Sequence, residues 1–247
     1  MMWKLYDELL DAIPDDIYVR ECQVGINWTM VRSQATGMAM TIRTNQPIRR
    51  GGDLVGMKVR ALAEYVKSWN FMEASIGLAA INSVLNTRKR AELYSAPLDS
   101  QVNESVIETL RPQIQGKKVT VVGHFPAIER LHGECQLSIL ERCPEPGDLP
   151  DPACEYILPE QDYVFITSTT LINKTLPRLL QICKSAKVLM VGPSTPLYPG
   201  LFEYGVDTLA GSVVVDEALW AYVREGGIGP GIFKKGCRPV TITRTPK

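Results

Sequence analysis

From residue 117 onward the chain is written in short apolar runs: KKVTVVG (117–123), CQLSILE (135–141), DYVFITS (162–168), KVLMVGP (187–193) and VDTLAG (206–211). Runs this short and this apolar suit strands covered on both faces, the condition of a parallel sheet between layers of helix. Between the third and fourth runs, KTLPRLLQICKSA places Leu176, Leu179, Leu180 and Cys183 on one stripe. Pro177 fits a helix that begins near Thr175, because first-turn amides have no intrahelical partner. After the fifth run, Asp216 is placed to cap EALWAYVRE. This order predicts an α/β, Rossmann-like sheet.

Residues 1–97 follow another grammar. WKLYDELLDAI puts Leu5, Tyr6, Leu9, Leu10 and Ile13 at helical intervals, with Pro14 closing the pattern. Val24, Ile26, Trp28 and Met30 then alternate, as do Met38, Met40 and Ile42 after Thr36-Gly37. That period predicts two adjacent strands in a hairpin. Helices are expected over roughly 56–68 and 71–86, giving α+β order. The polar stretch YSAPLDSQVNES (94–105) is read as the boundary between domains 1–97 and 98–247. ESVIETLRPQIQG then leads into the sheet as a helix whose reach Pro112 limits.

Several function classes drop out. Lys plus Arg and Asp plus Glu number 27 each, so no overall field draws the chain to nucleic acid or to an anionic bilayer. No run approaches the ~20 apolar residues of a membrane span, and MMWKLYDELLDAI does not read as a secretory signal. Six scattered cysteines (22, 135, 143, 154, 183 and 237) without a CxxC pair point to reduced thiols and a cytoplasmic location. The spacing of Cys135, Cys143 and Cys154 matches no standard zinc site. GxxxxGK[ST], GxSxG and HExxH do not occur. The expected partner is a small molecule; self-association stays open.

In an open parallel sheet the ligand lies beyond the carboxyl ends of the strands. Those ends carry Gly123-His124-Phe125-Pro126, Glu141, Thr167-Ser168-Thr169-Thr170, Gly192-Pro193-Ser194-Thr195-Pro196 and Gly211-Ser212. Glu141 falls 18 positions after Gly123, near the ~20-residue offset at which an acid receives ribose hydroxyls. The first loop, GHFPAIE, lacks the glycines of a pyrophosphate site, so a smaller ligand with hydroxyl or amino groups fits better. His124 is a candidate acid–base residue or metal ligand, and Cys143 a second metal candidate. His132 is expected on the following helix. Asn82 and Asn86 share a helix face, and Asn82 is a candidate to offer its amide to a cleft between the domains. Pro193, Pro196 and Pro199 disfavour a helix after the fourth strand and favour a rigid wall instead.

VGHFP, the ERCP that begins at Glu141, ITSTTLINKTLPRLL, VGPSTPLYPGLFEYGVDTLAG, GINWT and IGLAAIN together resemble the "putative heavy-metal chelation" family, long labelled a domain of unknown function. The resemblance spans nearly the whole chain. It implies an enolase N-terminal-like domain, a Rossmann-like domain and a ligand site in the cleft between them. Carried over by position, that cleft is lined by Asn82, Gly123, Phe125, Pro126, Glu141, Thr167, Ser168, Asn173, Thr175, Gly192, Pro193, Ser194 and Pro196. The implied ligand is a small metal-chelating or heterocyclic metabolite of pterin, flavin or siderophore type. A divalent metal or a nucleoside-containing small molecule is the implied cofactor. The competing readings are a non-catalytic metal or metallophore-binding protein and an S-adenosylmethionine-dependent methyltransferase-like enzyme.

Overall fold

The computed structural model describes residues 3–95, 98, 106–125 and 128–245. In chain order its elements are α1 (Lys4–Asp11), β1 (Glu21–Val24), β2 (Trp28–Arg32), β3 (Thr36–Met40), α2 (Val59–Ala63), α3 (Phe71–Leu85), α4 (Arg88–Ala91), α5 (Val106–Ile114) and β4 (Lys118–Val122). There follow β5 (Gln136–Glu141), β6 (Leu149–Pro150), α6 (Cys154–Ile157), β7 (Tyr163–Thr167), α7 (Leu176–Ile182), β8 (Lys187–Val191), β9 (Thr208–Val214), α8 (Ala218–Arg224), α9 (Gly231–Lys234) and β10 (Cys237–Thr243).

Among the described residues the first half builds a three-stranded antiparallel meander, β1-β2-β3. The expected single strand over 24–30 is broken by a turn, in which the Gly25 amide donates to the Trp28 carbonyl at 3.0 Å. Ile26, at the tip, is 61% exposed. Alternation survives because the turn preserves the parity of Val24 and Trp28, so periodicity alone does not detect it. Both faces of the meander are covered. Val31 and Ala39 join the core around α3, whereas Trp28, Met30 and Met38 pack with Leu219, Trp220, Val223 and Ile232 from the far end of the chain. Of the expected 56–68 helix, only Val59–Ala63 is α-helical, and it tightens into a 3-10 turn at Glu64–Lys67.

The second half is a mostly parallel sheet ordered β10-β9-β8-β7-β4-β5-β6, with only β10 antiparallel. The five expected strands are all present. Side chains alternate between two covered faces: Val119, Val121, Phe165 and Leu189 pack under α5, while Val164, Ile166, Val188 and Met190 pack toward α7 and α3. That double coverage explains the apolar runs. β10 was not expected from the sequence, because Pro239 interrupts it; at the sheet edge a missing amide costs little. Exposed Pro112 sits inside α5 and does not end it. The Asp216 carboxylate does cap α8, accepting from the Ala218 amide at 2.9 Å. The core is not interrupted at the 94–105 stretch: one cluster runs from Leu5 to Ile242.

Helix α3 sits at the junction. Glu73 through Leu85 is buried without a break, the mark of a helix surrounded on all sides. Its small residues permit close approach. A Cβ on Gly77 would lie 2.1 Å from the Val66 nitrogen, and one on Gly37 of β3 would lie 2.1 Å from the Ala79 oxygen. Glu73, 2% exposed, is answered by Arg49 and by the Ser68 hydroxyl at 2.6 Å. Burial alone would push its carboxyl upward; those hydrogen bonds outweigh it and hold the group below its ordinary range.

Two asparagines of this helix region reach into the other half. Asn86 Nδ2 donates to the Thr195 carbonyl (2.9 Å) and the Ser212 carbonyl (3.1 Å), while its Oδ1 accepts from the Leu197 amide (2.8 Å). Asn82 Nδ2 donates to the Met38 and Ser194 carbonyls, both at 2.9 Å. The Met40 amide completes the seam by donating to Ser194 Oγ at 2.8 Å. The segment after β8 is therefore bolted to the first half through its backbone. Pro199 opens a 3-10 helix, Pro199–Tyr204, where the prolines had argued against any helix. Gly211 lies inside β9 rather than at its tip, where a Cβ would meet the Thr195 oxygen at 2.7 Å.

Two substitutions test this packing by chemical denaturation. Gly37→Ala should cost about 3 kcal/mol, because its Cβ meets helix backbone that cannot rotate away. Asn86→Ala strands two buried carbonyls and one buried amide and should cost on the order of 3 kcal/mol. Wild-type midpoints in both would contradict the contacts.

Candidate functional site

The strand order places the topological switch between the parallel neighbours β4 and β7, from which the chain continues to β5 on one side and to β8 on the other. At that point Gly123 ends β4 with φ +101°, and a Cβ there would touch Thr167 Cβ at 3.0 Å. Gly192 ends β8 with φ +123°, and its Cβ would lie 3.0 Å from Ser168 Oγ. Both positions require the left-handed region that glycine tolerates, and both leave space beside the strand tips.

That space is a cavity of about 470 Å³, within the range of small-molecule sites. Of the residues expected at a site, Gly123, Phe125, Glu141, Thr167, Ser168, Asn173, Gly192, Pro193 and Ser194 line it, and so does His124. From the first half come Trp28, Met40 and Ile42; the far wall is Gly229, Pro230 and Phe233. The lining is thus mostly apolar, with aromatic rings on several sides and polar groups at the strand tips. Trp28 is 3% exposed, and its indole N–H has no partner among the described residues.

Glu141 is aimed by its own backbone neighbourhood. Oε2 accepts from the His124 amide at 2.9 Å and Oε1 from the Arg142 amide at 2.7 Å. Oε1 also accepts from the Cys143 amide at 3.4 Å, whereas Oε2 has one partner and a second lone pair, so a fixed acceptor remains for a ligand. Asn173 is held from behind: its Oδ1 accepts from the Thr175 amide (3.1 Å) and hydroxyl (2.7 Å), which leaves its NH₂ to donate. The next residue, Lys174, takes φ +69° and is 6% exposed. Its ammonium donates to the Ile172 carbonyl at 2.6 Å and lies 5.7 Å from the Phe71 ring and 5.9 Å from Trp69. Burial lowers its pKa from 10.5 to about 8.

Three expected residues that the structure describes do not line the cavity. Asn82 is wholly buried and spends its amide on backbone, so it positions Ser194 without facing the space. Thr175 supports Asn173 from behind and is not a lining group. Pro196 is buried in the wall's interior. Pro126 lies outside the described residues. His132 follows a 3-10 turn, Ile128–Leu131, and bridges to Cys135 without reaching the cavity. As for a metal, Cys143 is exposed, both ring nitrogens of His124 face carboxylates, and no group of three or more His, Cys, Asp or Glu among the described residues is placed to hold an ion. Among the described residues the donor set does not fit a metal held by side chains alone. Trp28, Met40, Arg142, Asp151 and Phe233 are among the lining residues that the sequence did not single out for a site.

Lys174 offers a pH test. The unfolded chain binds its proton up to about 10.5, the folded chain only up to about 8, so this group makes stability rise with pH between those values. Lys174→Met should therefore stabilise the protein at pH 7 by about 1–3 kcal/mol. The advantage should shrink as pH climbs toward 10.5 in thermal melts. An advantage independent of pH would contradict the buried charge.

Comparison with known proteins agrees with this architecture. Two family profiles match, DUF364 over residues 105–242 and DUF4213 over 6–85, and both are described as "Putative heavy-metal chelation". An uncharacterised protein of Methanocaldococcus jannaschii is 31% identical over 197 residues, 74% of this chain and 71% of that one. A crystal structure of a DUF364-family protein of unknown function from Desulfitobacterium hafniense superposes with TM-score 0.88 at 40% identity, covering 98% of this chain and 99% of that one. One from Pyrococcus horikoshii, at 21% identity and TM-score 0.79 over 98% and 99% of the two chains, shares the fold. With the second half matched throughout its sheet and the first half matched by a profile of the same description, this chain belongs to the DUF364 family, described as "Putative heavy-metal chelation".

Proposed function

We propose that the cavity at the tips of β4, β5, β7 and β8 binds, and acts on, a small heterocyclic or metal-chelating metabolite of the pterin, flavin or siderophore type. The observation that carries this reading is the convergence of Glu141, Ser168 and Asn173 on one space walled by Trp28, Phe125 and Phe233. Aromatic walls favour a flat ring. The Glu141 carboxylate accepts from ring N–H, amino or hydroxyl donors, and the Asn173 NH₂ donates to a carbonyl or ring nitrogen. Any metal arrives chelated by the small molecule, since among the described residues the side chains do not gather a donor set of their own. Two domains, 1–97 and 98–247, of enolase N-terminal-like and Rossmann-like type, form part of the same proposal, with the ligand at their junction. A cytoplasmic setting accords with six free cysteines. Among the described residues no helix is long and apolar enough to cross a membrane.

A thermal-shift series with pterins, flavins, nucleosides and S-adenosylmethionine tests the proposal on wild type and Glu141→Ala. A ligand at ~100 times its Kd adds about 2.7 kcal/mol, or roughly 5–10 °C for a chain of this size. Loss of the Glu141 acceptor should weaken binding about tenfold and remove about half of that shift. No stabilisation by any compound, or equal stabilisation of both proteins, contradicts it.

A further inference from the structure

His124 is the one ring on the cavity wall with a polar partner on each nitrogen. Nδ1 lies 3.2 Å from Oδ2 of Asp148, and Nε2 lies 2.5 Å from Oε1 of Glu129. An ionised carboxylate can only accept, so each of these contacts needs a proton on the ring nitrogen that faces it. The two carboxylates together raise the imidazole pKa above its ordinary value, through the Glu129 hydrogen bond first and then that of Asp148.

The partners are not equivalent. The Asp148 side chain is 4% exposed, and its Oδ2 also accepts from the Glu145 amide at 3.0 Å, so it is fixed. The Glu129 side chain is 54% exposed and stands on the short 3-10 turn Ile128–Leu131. A buried acid on Nδ1 fixes the tautomer and orientation of the ring. A half-exposed acid on Nε2 is easily displaced. The His124 backbone, meanwhile, is tied to the Glu141 carboxylate through its amide. Other charged groups around the ring are Glu141, Arg142 and Asp151 on the cavity wall, and His132, which acts on Glu129.

We propose that His124 is the proton donor of the cavity, oriented by Asp148 through Nδ1 and capped on Nε2 by Glu129 until an acceptor atom of the ligand takes the place of Glu129. The ligand class is a heterocycle with a basic ring nitrogen or an enolate-type oxygen. On transfer the Nε2–H bond breaks and a new bond forms from that proton to the ligand atom. The ligand gains one positive charge, the imidazole becomes neutral, and Nδ1–H stays donated to Asp148. Solvent returns the proton when Glu129 closes again. This proposal rests on the reading of the cavity as a small-molecule site; the Asp148–His124–Glu129 arrangement does not.

With only two histidines in the chain, ¹⁵N NMR resolves the ring, and His124→Gln assigns it. At pH 7 both His124 nitrogens should be protonated. Asp148→Asn and Glu129→Gln should each lower the titration midpoint, and Asp148→Asn alone should change the neutral tautomer. Pterin binding, followed by its fluorescence from pH 5 to 9, supplies the second arm. His124→Gln should weaken binding about tenfold and flatten its pH dependence, whereas Glu129→Gln should leave it equal or tighter. A neutral His124 at pH 7, or a tautomer insensitive to Asp148→Asn, overturns the proposal. Pterin affinity lost in Glu141→Ala but kept in His124→Gln also overturns it, while sparing the cavity reading. Absence of pterin binding to wild type, with the NMR result as expected, removes the role as donor to this class of ligand and leaves His124 a structural clamp.

Discussion

Two side-chain amides set the geometry on which the rest depends. Asn82 and Asn86 stand one turn apart at the C-terminal end of α3, a helix with no solvent face; Asn86 spends both amide hydrogens on carbonyls of the other half of the chain, and Asn82 spends one there and one on Met38 of β3. An amide buried in such a place must be matched or it destabilises, so its partners are held as firmly as the helix. The partners are Ser194, Thr195, Leu197 and Ser212, which belong to the segment after β8 and to the strand beside it. In this way a helix of the first half determines where a wall of the second half stands.

The cavity follows from that placement. Gly123 and Gly192 keep the strand tips bare, the bolted segment closes one side, and the meander brings Trp28 and Met40 across from it. Polar function is concentrated on groups whose own orientation is already fixed: Glu141 by backbone amides, Asn173 by Thr175, His124 by Asp148. Groups oriented before a ligand arrives lose little freedom when it binds. Lys174 is the exception. It carries a buried charge and a left-handed backbone without touching the cavity, and its ammonium faces two rings of the first half, Trp69 and Phe71.

Much of this was legible in the sequence where burial leaves a pattern. The parallel strands announced themselves because both faces are covered, and Glu141 stood out by its distance from Gly123. The meander was half-read, since a turn at Gly25–Asn27 that keeps parity looks like an unbroken strand. Asn82 was noticed for the right face and assigned the wrong role, because an amide that holds a loop and one that meets a ligand are the same residue type. Trp28, Met40 and Phe233 were invisible for a different reason: an apolar side chain facing an empty space has the same period as one facing a core. The glycine-rich GGIGPGIFKKG (226–236) contains no phosphate-loop motif, yet Gly229, Pro230 and Phe233 close the cavity. Its bareness was the available signal.

All of this requires the segment after β8 to be a fixed wall rather than a mobile loop. Native-state hydrogen exchange at the Leu197 amide, which donates to Asn86 Oδ1, tests it most directly. Exchange as slow as that of amides within α3 and β9 is the predicted result. Exchange as fast as that of an exposed turn such as Gly52 would contradict it and leave the cavity without a defined side.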